Sequence, residues 1–133
     1  MSKGKIISIE AGFDNLRYLE NRTPDTTKAE SADAFGELAE YRDGAIFIAH
    51  YAGFSEWERH PEGDEIVYVV SGKTNLILLS DIGEVEKHMG AGDIIVVPKG
   101  QWHRFKSPEG VKIMSVTPQP TDHCRELPTD IKY

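Results

Sequence analysis

From residue 45 to residue 117 the chain alternates short apolar runs with turn-forming residues. The runs fall at 45–51, 55–60, 65–71, 74–80, 84–89, 93–97, 102–106 and 111–117. Each has strand length and is rich in Val, Ile and aromatic residues. Between them stand Gly53, Pro61-Glu62-Gly63-Asp64, Ser71-Gly72, Asp81-Ile82-Gly83, Gly90-Ala91-Gly92, Pro98-Lys99-Gly100 and Pro108-Glu109-Gly110. Short strands at near-even spacing predict an all-β sandwich or barrel. The rhythm fades at both ends. Residues 5–9 predict one short strand. Residues 10–28 carry turn formers, among them Asp14-Asn15 and Thr23-Pro24-Asp25, and predict a loop over the barrel. Phe35, Leu38 and Ala39 follow Ser31 at helical spacing and predict a short helix or a few loose turns, closed by Asp43-Gly44. Residues 118–133 hold three prolines and no periodicity, and predict an extended arm.

Alternation also sorts the polar side chains. Glu58 and His60 share one face of their strand, and Arg59 points to the other. Glu65 opens the next strand beside them. His103 faces inward with Phe105, and Arg104 faces away. Imidazole and carboxylate from adjacent strands are ordinary ligands for Fe, Mn, Ni or Zn. Val67 and Val69 also face inward, so the expected pocket is mostly apolar, with a metal as its main positive charge. Among basic residues only Lys99, on a turn, is placed to reach its mouth. His50 shares a face with Ile46 and Ile48, which reads either as a pocket acid or base or as a structural histidine. His88 and His123 read as exposed. Trp57, Tyr68 and Trp102 point outward, as packing or dimer contacts.

Composition narrows the setting. At 133 residues the chain has the size of one domain, read as a barrel core over 44–117, an N-terminal extension 1–43 and an arm 118–133. The formal net charge of −7, without a concentrated basic stretch, argues against nucleic acid and against an anionic membrane surface. No segment has the form of a secretory leader or a membrane span. One cysteine, Cys124, forms no internal disulfide and fits a reducing, cytoplasmic setting.

Two stretches resemble the paired motifs of the cupin superfamily. In the first, His60, Glu65 and Gly72 match the second His, the Glu and the closing Gly. In the second, Gly92, Pro98, Gly100 and His103 match throughout. There are two departures: Glu58 stands where the family's first His is found, and Ser107 replaces an Asn that often follows the last His. The resemblance implies a cupin double-stranded β-helix, or jelly-roll barrel, with a short N-terminal helix or loop and a C-terminal arm. It also implies a homodimer, and a divalent metal ion held by Glu58, His60, Glu65 and His103. Glu58 can alternatively be a rim carboxylate paired with Arg59 or Arg104. The function it implies is a metalloenzyme acting on a small oxygen-bearing organic molecule, by oxygenase- or isomerase-type chemistry. The alternative is a non-catalytic small-molecule binding or storage module.

Overall fold

The computed structural model describes residues 3–130. In chain order its elements are α1 (Ile9–Asp14), β1 (Leu19–Arg22), α2 (Lys28–Ser31), a 3-10 turn (Ala32–Ala34), β2 (Phe35–Tyr41), β3 (Gly44–Phe54), β4 (Trp57–Arg59), β5 (Glu65–Ser80), β6 (Gly83–Gly90), β7 (Ile94–Val97), β8 (His103–Pro118) and β9 (Asp122–Cys124). β5 pairs with β6, β7 and β8, and β8 also pairs with β3 and β4, all antiparallel. β1 lies parallel to β3. The architecture is an all-β jelly-roll barrel, as the strand–turn rhythm and the motifs imply.

The barrel closes because the long β5–β8 ribbon folds back on itself. From 103 to 117 is 14 residue steps of β8, which would span roughly 46 Å if straight. Yet His103 and Thr117 both touch Glu65, at 3.0 and 2.6 Å. The ribbon bends where Gly72 meets Gly110. Both have positive φ, +78° and +96°, and a Cβ on Gly72 would lie 2.4 Å from the Gly110 carbonyl oxygen. Only glycine admits that approach. Register shifts flank the bend at Val69/Ser71 and Gly72/Asn75. The two breaks expected at Ser71-Gly72 and Pro108-Glu109-Gly110 are therefore bends within continuous strands, so the four runs expected there are two elements.

The N-terminal expectations need three corrections. Residues 5–8 form no strand, and Ile9 begins α1, where Ser8 accepts a hydrogen bond from the Ala11 N–H. The expected loop over 10–28 contains most of α1 and all of β1. The helix expected across Phe35, Leu38 and Ala39 is strand β2, paired with β3 from Phe35↔Ala49 to Tyr41↔Gly44. The helical segment ends before it, as α2 with a Thr27/Glu30 capping box. The open edge of β3 offers ladder hydrogen bonds that outweigh a weak helical preference already lowered by Gly36. Leu38 then packs against α1: a Cβ on Gly12 would sit 2.7 Å from it.

Two apolar clusters hold the barrel. Inside lie Tyr51, Val67, Val69, Leu76, Phe105 and Ile113 with their neighbours, which places Val67, Val69 and Phe105 as alternation required. On the outer face Trp57, Trp102, Ile77 and Leu79 form a second cluster. The C-terminal arm covers it: Trp102 donates its indole N–H to the Asp130 carbonyl at 2.6 Å, and Cys124 packs alongside. Arg59 lies over Trp102 and Arg104 over Trp57. Both tryptophans are thus outer-face packing within one chain, and of the three expected dimer contacts only Tyr68 keeps part of its surface open. Truncating Trp57, only 2% exposed, removes the centre of this cluster. Trp57→Ala is expected to lower stability by about 3–5 kcal/mol, read as a shift of the urea unfolding midpoint at unchanged slope.

Candidate metal centre

Three elements and one turn bring Glu58, His60, Glu65 and His103 together. Glu58 on β4 is the direct antiparallel partner of His103 on β8, so both side chains enter the same face of the barrel wall. His60 follows β4 by one residue, and the turn through Pro61 returns the chain to Glu65 at the start of β5. One ligand-type atom from each of the four lies within 4.8 Å of the others. His60, Glu65 and His103 are buried, and the Glu58 side chain is 22% exposed. The structure therefore assembles all four residues that the motifs single out.

Neighbouring groups fix the orientation of three of them. His103 Nδ1 lies 2.9 Å from the Gln101 carbonyl oxygen, which can only accept, so Nδ1 carries a proton and Nε2 faces the cluster. His60 Nδ1 lies 2.9 Å from Thr121 Oγ1, which lies 3.4 Å from Gln119 Oε1. Read as a relay of donors, that chain also turns His60 Nε2 inward. This Nε2 is buried without a hydrogen-bond partner, although Glu65 Oε1 is 3.3 Å away, out of line for a bond. Thr117 donates to Glu65 Oε2 at 2.6 Å and lies 2.9 Å from Ser115 Oγ. Glu65 Oε1 is left facing His103 Nε2 at 3.0 Å, with Glu58 Oε1 at 3.5 Å from the same nitrogen.

The charges respond to this crowding. Burial opposes the charge of Glu65, but the bond from His103 and then the nearby His60 imidazole outweigh it and hold its pKa at about 2. Burial likewise opposes a charged His103, but Glu58 and Glu65 outweigh it and raise its pKa to about 10. Without another cation, the cluster keeps a proton on His103 between two carboxylates.

The cluster opens into a cavity of about 80 Å3 lined by Glu58, Glu65, Phe35, Tyr51, Phe105 and Arg22, among others. Arg22 corrects the expectation that, among basic residues, only Lys99 could reach the pocket. Lys99 is exposed on its turn, where its N–H bonds Asp64, and does not line the cavity. Arg59 and Arg104 face outward as expected; Arg59 pairs with Asp122 at 2.9 Å. His50 lies on the opposite face of β3 and stacks on Tyr18 at 4.5 Å, which settles it as a structural side chain. His88 and His123 are exposed, beside Asn75 and Glu56.

Sequence reasoning missed Arg22, Tyr51, Ser115, Thr117 and Thr121. Ser115 and Thr117 were within reach, because both are an even number of residues from His103 on one strand. Tyr51 lies on the face of β3 opposite His50. Arg22 and Thr121 sit in segments read as loop and arm, where alternation says nothing.

The wider comparisons agree with this geometry. The cupin-2 family, described as a cupin domain, matches residues 46–117. An acireductone dioxygenase of Rhodopseudomonas palustris is 30% identical over 101 residues, covering 69% of this chain and 61% of that enzyme. This chain thus spans about three fifths of that relative's length. The uncharacterized protein YdbB of Bacillus subtilis is 28% identical over 93 residues, 69% of this chain and 79% of that one. Among solved structures, a cupin-2 domain protein of Shewanella frigidimarina superposes with a TM-score of 0.56 at 27% identity, covering 64% of this chain and 79% of that one. The matched segment holds both motifs, the barrel core and all four clustered side chains, and the chain belongs to the cupin-2 family.

Proposed function

We propose that Glu58, His60, Glu65 and His103 hold one divalent ion, Fe, Mn, Ni or Zn, and that the protein is a mononuclear metalloenzyme acting on a small oxygen-bearing organic molecule. One observation carries this reading: two imidazoles, turned so that Nε2 faces inward, converge with two carboxylates, and His60 Nε2 is buried without a partner. Unsatisfied buried polar atoms are costly. A cation at the centre satisfies all four groups, whereas the proton on His103 leaves His60 unsatisfied. Two carboxylates match the double charge of the ion and favour harder metals than an all-histidine set. The likeness to an acireductone dioxygenase favours oxygenase-type over isomerase-type chemistry.

The bound ion would supply Lewis-acid polarisation of a substrate oxygen and, if redox-active, a centre for oxygen chemistry. The chain's own residues do the rest. Thr117, Thr121 and the Gln101 carbonyl orient the ligand atoms from behind. Phe35, Phe105 and Tyr51 wall the cavity and limit water. Glu58, the one partly exposed member of the cluster, is placed to exchange a proton with substrate if its carboxylate is free to move.

Metal analysis by plasma mass spectrometry on tag-free protein is expected to give about one equivalent of Fe, Mn, Ni or Zn, lost in His60→Ala/His103→Ala. An empty site after reconstitution with all four metals would leave a non-catalytic binding barrel.

Thr117→Val removes the hydroxyl that holds Glu65 while keeping its shape. Metal affinity should fall by about 10- to 100-fold, measured by competition with a chromogenic chelator, with the barrel's circular dichroism unchanged.

The cluster also sets a pH dependence. In the metal-free protein Glu65 titrates at about 2 against 4.5 for an ordinary Glu, so its contribution is complete above 4.5 and is lost as pH falls through 2. His103 titrates at about 10 against 6.5, so its contribution is complete below 6.5 and is lost as pH rises through 10. Thermal stability of the metal-free protein should therefore peak between these limits, near pH 4.5–6.5. Metal must displace the His103 proton, so apparent metal affinity should rise by about tenfold per pH unit above that window. Calorimetry in buffers of different ionisation enthalpy should show one proton released per ion bound.

A further inference from the structure

The cavity carries a cation and a buried hydroxyl that the metal chemistry leaves unused. Arg22 enters from β1, which reaches the barrel because Gly53 has no side chain: a Cβ there would lie 2.1 Å from the Arg22 carbonyl oxygen. The guanidinium lies over two rings, 4.9 Å from the centre of Phe35 and 4.5 Å from that of Tyr51. Ring faces hold the guanidinium in place and accept none of its in-plane N–H bonds. No ion pair to Arg22 occurs among the described residues, although the side chain is half-buried. Beside it, the Tyr51 hydroxyl is buried and has no hydrogen-bond partner. Burial, working against the pull of the Arg22 charge, raises the Tyr51 pKa above the ordinary 10, so at neutral pH the oxygen keeps its proton as a donor.

A guanidinium with no ion pair among the described residues and a buried hydroxyl without a well-aligned hydrogen bond therefore line the same cavity as the ligand cluster. The group that satisfies a planar guanidinium fork is a planar anion with two acceptor oxygens. We propose that Arg22 and Tyr51 form a carboxylate-recognition subsite, and that the substrate is a small organic acid. Its carboxylate rests on Arg22 while a second oxygen faces Glu58, His60, Glu65 and His103. The second contact rests on the metal reading above; the first does not. The cavity is small, about 80 Å3, and suits a substrate of few heavy atoms. The charge balance is consistent: an ion neutralises the two carboxylates of the cluster, and Arg22 is then left to attract an anion.

The test is an NMR-monitored titration of tag-free protein, both Zn2+-loaded and metal-free. The probes are acetate, pyruvate and malonate against their uncharged amides. At least one acid should bind roughly tenfold or more tightly than its amide. That preference should vanish in Arg22→Gln, survive in part in Arg22→Lys, and weaken several-fold in Tyr51→Phe. Equal binding of acids and amides, no acid binding at all, or a preference untouched by Arg22→Gln overturns the proposal. A wild-type protein that shows no preference for acids overturns the proposal even if a variant misfolds. Calorimetric titrations with Fe2+, Mn2+, Ni2+ and Zn2+, each without acid, report the cluster separately. Failure of all four to bind, with a persistent Arg22-dependent preference for acids in the metal-free protein, sinks the metal reading and keeps the subsite.

Discussion

Glu65 stands where the two ends of β8 meet. One of its oxygens faces His103 and the other accepts from Thr117, at opposite ends of a strand that would otherwise hold them tens of ångströms apart. A buried carboxylate is tolerated only when its oxygens are satisfied, so this contact favours a closed ribbon over an open one. Much else follows from the closure. Gly72 and Gly110 must meet at the bend without side chains. The inner face must be apolar between the two ends, as Phe105, Val111 and Ile113 make it. Once His103 is brought round, its cross-strand partner Glu58 comes with it. Fold closure and site assembly are one event, made by the same side chains.

That coupling explains the charge state. The bond from His103 that holds Glu65 ionised also helps to keep His103 protonated, beside the contribution of Glu58. A proton is a poor fit to the space, however. It sits on one nitrogen and serves two carboxylates, while Nε2 of the second imidazole is left buried without a hydrogen bond. A cation among the four groups, as proposed above, would satisfy both imidazoles and both carboxylates. Orientation from behind makes the arrangement specific, because the Gln101 carbonyl and the Thr117 hydroxyl each constrain one ligand to present one atom.

Alternation along strands made much of this legible beforehand. It put Glu58, His60, Val67, Val69, His103 and Phe105 inside and Arg59, Arg104, Trp57 and Trp102 outside, and each is where it was expected. It worked because a one-residue error would reverse every side chain, so register in a half-buried strand is strongly specified. It failed where the chain leaves that regime. At Gly72 and Gly110 a turn and a bend use the same residues, and only the partner strand distinguishes them. At Phe35–Tyr41 a short apolar set fits helix and strand alike, and the vacant edge of β3 decided between them. On β3 itself the polar His50 drew the eye to one face, while the pocket lies on the face of Ala49 and Tyr51.

The misplaced N-terminal segment matters more than its length suggests. The segment that identifies the family begins at residue 46, and it contains every clustered ligand-type side chain. Arg22 and Phe35 precede it. Among the described residues β1 is also the one strand that joins in parallel, laid against β3 by the absence of a side chain at Gly53. The strand that carries the cavity's arginine thus lies outside the matched segment, and under the proposal above it supplies the charge that a carboxylate would answer. A parallel strand requires a long connection, here α2 and β2, so its arginine lies far in sequence from the groups it faces. That separation hides the residue from motif reading.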